Sequence, residues 1–429
     1  YIDRVIVRSQ PFMYHIVTEL EKHELPWELA LLPIVESAFD PFAYSHGRAA
    51  GLWQFIPGTG NRFKLKQTWW YDGRRDVIAA THAALDYLSF LHKTLDGDWL
   101  NAIAAYNSGE GRVLRAIKRN RKKHLPTDFW SLDLPKETSA YVPKLLALAD
   151  LLKRNDEFNL NWQKIDNEPA IAVVDAKAQI DLAKAAELAG MKLEQLHKLN
   201  PGYNQWATDP KGPHKFIVPI EKAPAFEAKI AKLDKSERMS WARYEVRSGD
   251  TLGGIAQKFN TSVGVLRDVN NIRGNIIRVK QPLMIPKSTK ALTEYTLTAD
   301  NRLVKTQNVK RASNKLSYKV KSGDTLWDIS QEYDVSIRSL AKWNGMAPKD
   351  PIKPGQNLVI WKESVSENHA KNAVVRSVFY KVRSGDSLAR IAKKFNVKVS
   401  DIIKWNQIDG KKYLQPGQSL KLFVDVTQT

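Results

Sequence analysis

The stretch Tyr244-Glu245-Val246-Arg247-Ser248-Gly249-Asp250-Thr251-Leu252 returns twice, as Tyr318-Lys319-Val320-Lys321-Ser322-Gly323-Asp324-Thr325-Leu326 and as Tyr380-Lys381-Val382-Arg383-Ser384-Gly385-Asp386-Ser387-Leu388. The likeness runs on without a gap. Ile255, Phe259, Val263, Leu266 and Asn270 recur as Ile329, Tyr333, Ile337, Leu340 and Asn344, then as Ile391, Phe395, Val399, Ile402 and Asn406. A repeat of this length is one supersecondary unit, and its local pattern predicts which. Tyr244 and Val246 alternate as in a strand, and after the Ser-Gly-Asp turn the apolar residues Leu252, Ile255, Ala256 and Phe259 take helical spacing. Asp250 or Thr251 is placed to cap that helix, and a second short helix follows through Val263, Leu266 and Val269. A last strand closes the unit. In copies two and three it follows Pro354-Gly355-Gln356 and Pro416-Gly417-Gln418, where Pro fixes φ and Gly supplies the positive φ of a type II turn. Copy one departs there, with Val279-Lys280.

These units resemble LysM modules, over 244–286, 318–361 and 380–423. The resemblance implies a βααβ fold that binds N-acetylglucosamine-containing glycan. The expected contacts are Gly249, Asp250, Thr251 and Leu252, then Gly323, Asp324, Thr325 and Leu326, then Gly385, Asp386, Ser387 and Leu388, with the loop before the last strand as the facing wall. Copy one is expected to bind more weakly, because that loop is altered. The stretches 287–317 and 362–379 are rich in Lys, Asn, Ser and Thr with little apolar periodicity, and read as flexible linkers. A fainter fourth unit lies upstream: Leu182, Ala186, Leu193, Leu196 and Asn200 match copy one at a constant offset of 70, ahead of Lys215-Phe216-Ile217-Val218. It lacks the Ser-Gly-Asp turn. Residues 168–220 therefore read either as a degenerate LysM-like module with a structural role or as an unrelated helical linker domain.

At 429 residues the chain is too long for one hydrophobic core. Its formal charge is +20, and residues 241–429, with 33 basic and 16 acidic side chains, hold +17 of it. Such a surface favours polyanions without choosing among nucleic acid, anionic membrane and acidic wall polymer. The absence of cysteine rules out disulfides and thiol chemistry. The sequence opens at Tyr1 without a Met and contains no apolar run long enough to span a bilayer, so a removed export signal or lipid anchor is expected.

Residues 1–160 read as a helical domain. Pro26 suits a first helical position, Trp27, Leu31, Ile34 and Val35 share a face, and helical spacing continues in 79–95, 99–105, 112–118 and 138–152. Within Leu32-Pro33-Ile34-Val35-Glu36-Ser37-Ala38-Phe39 a single carboxylate sits among apolar neighbours. Burial there disfavours the ionised form and suits a general acid, although a helix-end Glu that reaches water fits the same residues. Downstream come Ser45, the run Gly51-Leu52-Trp53-Gln54-Phe55-Ile56-Pro57-Gly58-Thr59-Gly60, and Ala105-Tyr106-Asn107-Ser108-Gly109-Glu110-Gly111.

In order and spacing these three motifs, over residues 25–150, resemble the catalytic domain of lytic transglycosylases with the goose-lysozyme-like fold. The fold class expected is thus multidomain: an all-α lysozyme-like domain followed by small α+β LysM modules. By that resemblance Glu36 is the catalytic acid and base, Ser45, Gln54, Tyr106 and Asn107 line the sugar cleft, and Tyr141 closes the site beside the acid. Trp53 stands where many members carry methionine. The implied reaction needs one carboxylate. Glu36 protonates the oxygen linking N-acetylmuramic acid to N-acetylglucosamine and then takes the proton of the same sugar's C6 hydroxyl, which closes onto C1 as a 1,6-anhydro ring. Two-carboxylate glycosidases need a second group. Asp40, before Pro41, reads as a turn residue, and Glu110 as a solvated residue of a Gly-rich loop.

No cofactor is expected. The nine histidines show no metal-ligand spacing, so His46, His82 and His92 read as surface or packing residues and no metal is predicted. Gly58-x-Gly60 lacks the rest of a phosphate loop, and the basic run 115–123 reads as a solvated helix end. The expected partner is the glycan strand of peptidoglycan and not nucleic acid. The expected setting is the periplasm, with a lipid anchor to the outer membrane outside this sequence, and a monomer is favoured. Competing readings are a muramidase that uses water, a wall-binding scaffold without catalysis, and a nucleic-acid binder driven by the basic half.

Overall fold

The computed structural model describes residues 1–158, 164–259, 261–363, 375–383, 385–395, 397–406, 408 and 414–425. The chain forms two compact units, residues 1–309 with 317–360, and residues 310–316 with 361–429.

The first unit opens with α1 (Ile2–Ser9), α2 (Met13–Lys22), a 3-10 turn over Trp27–Leu31, α3 (Leu32–Ser37) and α4 (Pro57–Arg62). Then come α5 (Val77–Thr94), α6 (Trp99–Ser108), α7 (Glu110–Lys122) and α8 (Lys136–Lys153). Asp76 and Asp98 cap α5 and α6 by accepting from the Ala79 and Asn101 amides, which satisfies donors that the first turn leaves free. Helix α6 is the hub, packed on α5, α7 and α8. Its small buried residues Ala102, Ala104 and Ala105 let those neighbours approach. Pro26 precedes the 3-10 turn as its cap instead of occupying a first helical position. Glu110 is not in a loop: it is the first residue of α7, where a carboxylate complements the helix dipole, and Arg62 (2.7 Å) and Tyr87 (3.1 Å) both donate to it.

Residues 171–219 form a βααβ unit of β1 (Ile171–Asp175), α9 (Leu182–Leu188), α10 (Leu193–Leu199) and β2 (Lys215–Pro219). The strands are antiparallel, with Val173 opposite Ile217. Helix α11 (Ala223–Lys232) packs on β1 and carries the unit past residue 220 through the buried Phe226. This unit is joined to the catalytic region by backbone bonds from Asn204 to Trp70 and from Asp72 to Gly202, 2.8 Å each.

The three repeats follow. The first has β3 (Ser240–Glu245), α12 (Leu252–Lys258), α13 (Val263–Asn270) and β4 (Pro282–Lys287). Beyond it lies α14 (Ala299–Asn308). The second has β5 (Asn314–Lys319), α15 (Leu326–Glu332), α16 (Ile337–Trp343) and β6 (Asn357–Lys362), and the third β7 (Val375–Lys381), α17 (Leu388–Lys394), α18 (Val399–Asn406) and β8 (Ser419–Asp425). Each has a two-stranded sheet and its own small core.

One asparagine clasps each unit: Asn270 donates to the Leu266 and Met284 carbonyls and accepts from the Met284 amide. Asn344 and Asn406 repeat this, and so does Asn200 upstream, toward Leu196 and Ile217. The fourth copy shares the closing device of the other three.

The segment 287–317 departs from the flexible linker that its composition suggests. Tyr295 is fully buried and donates to Asp181 at 2.8 Å, and Thr289 binds the same carboxylate through its amide and hydroxyl. Composition misses this because a few anchoring residues, not a periodic stripe, hold the segment down. Most of 362–379 lies outside the described residues. Among the described residues no helix is long and apolar enough to cross a membrane.

Candidate active site

Helix α3 presents Glu36 one residue before its end. Ala38 and Phe39 both take left-handed backbone (φ 51° and 55°) and return their amides to Ile34 and Pro33, so the chain turns sharply just beyond the acid. Ser37 donates to the Pro33 and Leu52 carbonyls, both at 3.0 Å, which ties α3 to the loop that carries Gln54. That loop is locked from below. Gly51 sits at φ 83°, and a Cβ there would lie 1.9 Å from the Arg74 carbonyl oxygen. Arg74, paired with Asp72, donates to the Arg48 and Phe55 carbonyls on either side of the loop.

Tyr141 of α8 donates to Glu36 Oε1 at 2.5 Å. Burial pushes the Glu36 carboxyl up to about 7; the Tyr141 hydroxyl works against this, and the charge of Glu137 adds to it. The group therefore holds its proton up to neutrality, as a general acid must, while a donor stands ready for the carboxylate that remains. Tyr106, its phenol pushed well up by burial, donates to the Trp53 carbonyl at 2.8 Å. The same loop is thereby fixed from the α6 side.

The other expected residues have structural partners of their own. Asn107 accepts from Thr138 Oγ1 at 2.9 Å, which couples the end of α6 to the start of α8. Gln54 has φ 50° and returns its amide to the Gly51 carbonyl. Ser45 accepts from the Gly47 and Ala49 amides and closes a tight turn. Trp53 is fully buried, its indole donating to Thr81. Asp40 accepts from the Phe42 amide and pairs with Arg8, the turn role its sequence suggests. Ser37, Arg74 and Thr138 escape a reading of the sequence. Ser37 alone carries a signal, as the small polar residue next to the acid.

In the repeats Asp and Thr divide the two roles that the sequence leaves open. Thr251, Thr325 and Ser387 cap the first helix. Asp250, Asp324 and Asp386 hold the turn instead, each accepting from a tyrosine hydroxyl and from the backbone amide three residues back. These bonds hold all three carboxylates below their usual range.

The altered loop of copy one keeps the same backbone. Lys280 takes φ 66° and donates to the Val246 carbonyl, as Gly355 and Gly417 do to Val320 and Val382. Among the described residues no group of three His, Asp or Glu side chains could hold a metal ion. His82 pairs with Glu19 and His92 stacks on Trp99.

Comparison with known proteins adds three family matches: Transglycosylase SLT domain over residues 13–128; Lytic transglycosylase MltD, LysM-like domain over 170–235; and LysM domain over 244–286, 318–361 and 380–423. Membrane-bound lytic murein transglycosylase D of Escherichia coli K12 is 38% identical over 424 residues, spanning 99% of this chain and 78% of that one. A putative tributyltin chloride resistance protein of an Alteromonas species is 44% identical over 175 residues, 41% of this chain and 83% of that one. Among solved structures, an inactive mutant of lytic transglycosylase Slt from Pseudomonas aeruginosa aligns over 34% of this chain and 24% of its own. The identity is 28% and the TM-score 0.27.

Proposed function

Since the chain belongs to the family of membrane-bound lytic murein transglycosylase D, peptidoglycan-cleaving enzymes with LysM modules behind the catalytic domain, we propose that Glu36 performs both proton transfers of a non-hydrolytic cleavage. Glu36 gives its proton to the oxygen between N-acetylmuramic acid and N-acetylglucosamine as that bond breaks. Its carboxylate, held by the Tyr141 hydroxyl, then removes the proton of the C6 hydroxyl as O6 bonds to C1. The product is a 1,6-anhydro end and no water is consumed. The attacking hydroxyl belongs to the substrate, so proximity replaces a second protein carboxylate. Ser45, Gln54, Tyr106 and Asn107 are assigned to the walls of the sugar cleft. The Gly-Asp-Thr/Ser-Leu turns at 249–252, 323–326 and 385–388 are assigned to glycan contact. The relative named membrane-bound supports a periplasmic setting; lipid anchoring at the outer membrane and a monomeric state complete the proposal.

The observation that carries the reading is the carboxyl raised to about 7 with a phenol donating to it. Mass spectrometry of products from purified peptidoglycan tests it: ends one water lighter than hydrolysed ones are expected, and no cleavage by Glu36→Gln. Hydrated ends would instead assign a muramidase, with Glu137 the carboxylate to examine as its base. Cleavage retained by Glu36→Gln would remove Glu36 from the reaction.

A further inference from the structure

A cleft of about 1190 Å³ lies beside the segment Asp40–Tyr44, which continues the chain just beyond Glu36. Asp40 is the fourth residue after Glu36, so their Cα atoms are at most about 14 Å apart. Other walls come from the 296–306 segment and from Asn344–Met346 of the second repeat. Four arginines line it, and they differ in how they are used. Arg8 is paired with Asp40, and Arg74 with Asp72 through two parallel bonds. Arg75 and Arg302 form no ion pair among the described residues. Among the described residues the guanidinium of Arg302 lies over the Phe42 ring at 4.7 Å and donates only to the Leu297 carbonyl, and that of Arg75 lies 6.0 Å from the Tyr44 ring, its Nε buried with no partner among them. Burial, followed by the charge of Arg75, brings Arg302 down to about 9. Asp300 is the remaining acid on the wall, and its own burial favours its neutral form.

Asp40, Asp72 and Asp300 act on these two cations only from beyond ion-pair distance, and desolvated cations kept side by side without a direct carboxylate partner cost stability unless something else compensates them. An unpaired guanidinium presents a planar fork that matches a carboxylate or a phosphate. The volume of about 1190 Å³ far exceeds what an isolated ion needs and lies just above the roughly 300–1,000 Å³ of clefts that hold drug-sized organic ligands, which leaves room for an extended one. The aromatic floor suits the apolar part of such a ligand.

We propose that Arg75 and Arg302 form a carboxylate-binding site that takes the peptide stem carried by the glycan strand. The proposal rests on the peptidoglycan reading for its ligand and not for its geometry. The site would select strands that keep their stems, since a bare glycan offers it nothing.

The test uses the full chain carrying Glu36→Gln, so that binding is read without cleavage. Calorimetry compares the sugar-free stem tetrapeptide, the same peptide with its carboxylates amidated, and inorganic phosphate. The free acid is expected to bind at least about tenfold more tightly than either alternative, and Arg302→Gln or Arg75→Gln to abolish that preference. Arg302→Lys, which keeps the charge without the fork, should restore part of it. Equal affinity for the acid and amidated peptides overturns the proposal. So does phosphate binding as tightly as the peptide, which would assign the cleft to a phosphate-bearing ligand. A second readout needs no peptide: with Glu36 intact, the ratio of rates on stemmed and stem-stripped strands should fall toward one in Arg302→Gln, and an unchanged ratio counts against the site. The peptide arms do not depend on Glu36, and product analysis does not depend on Arg302, so the two readings fail separately.

Discussion

Replacing Glu36 by glutamine removes a group whose two protonation states the fold treats unequally. The folded carboxyl titrates at about 7 against an ordinary value of 4.5. A raised carboxyl binds its proton more tightly in the folded state. It therefore costs nothing well below pH 4.5, costs progressively more as pH rises, and reaches its full cost above about 7. Every tenfold gain in proton affinity corresponds to about 1.36 kcal/mol, which gives about 3 kcal/mol near pH 8 and a few tenths near pH 4.5. Glutamine keeps an oxygen for the Tyr141 hydroxyl and never ionises. Glu36→Gln should therefore be more stable than the parent near pH 8 by about 3 kcal/mol. For a domain of this size that corresponds to a melting shift of about 6–12 °C, and the difference should nearly vanish near pH 4.5. Calorimetric melts of both proteins at the two pH values measure it. A variant that melts lower than the parent at the alkaline pH, or a change of the same size at both pH values, would refute a desolvated acid at this position.

Tyr141→Phe removes the donor that holds the Glu36 carboxyl down, so the alkaline limb of the rate profile should move up by about one pH unit while kcat falls; movement toward lower pH contradicts the assigned hydrogen bond. Lys280→Gly relieves a side chain from left-handed backbone and should stabilise the first repeat by about 1 kcal/mol, read as a rise in the melting temperature of that module. Asp324 is held below the usual carboxylate range, so its contribution to the second repeat is present at neutral pH and lost as pH falls through that lowered value. Asp324→Asn should weaken the module at neutral pH and flatten its acid response, which hydrogen exchange of the α15 and α16 amides can follow; an unchanged acid response would show that the carboxylate is idle.

Much of this architecture is legible in residue order. The three repeats can be read because each has to bury its own core within a few dozen residues, which fixes Leu252, Ile255 and Leu266 and their counterparts at constant spacing. The candidate acid stands out in the sequence because a carboxylate among Leu32, Ile34 and Val35 has few bland explanations once its companion motifs are present, and the structure finds its carboxyl raised by burial. Its supports are less visible: the bonds from Ser37 to Leu52, Tyr106 to Trp53 and Thr138 to Asn107 join elements distant in sequence, and nothing local marks them. The role of Asp250 is blurred for the opposite reason, since an Asp next to a Thr can cap a helix equally well on paper. The segment after the first repeat misleads because two anchors, Thr289 and Tyr295, fix a stretch whose average composition is that of a coil. Lys280 shows the same limit, for the turn is set by the bonds around it even where the residue disfavours it.

The anchoring of that segment changes how a captured strand would meet the enzyme. Thr289 and Tyr295 bind the carboxylate of Asp181, Gln307 donates to Asn344, and Arg48 pairs with Asp350. The second repeat thus meets the cutting domain through Asp350, which pairs with Arg48 and accepts from Tyr44, and meets α14 through Asn344. A leash would let a holding module wander and would spread the lengths of released fragments. A fixed spacing between the proposed grip of the second repeat and Glu36 would instead cut a strand held there at one set remove from the holding point.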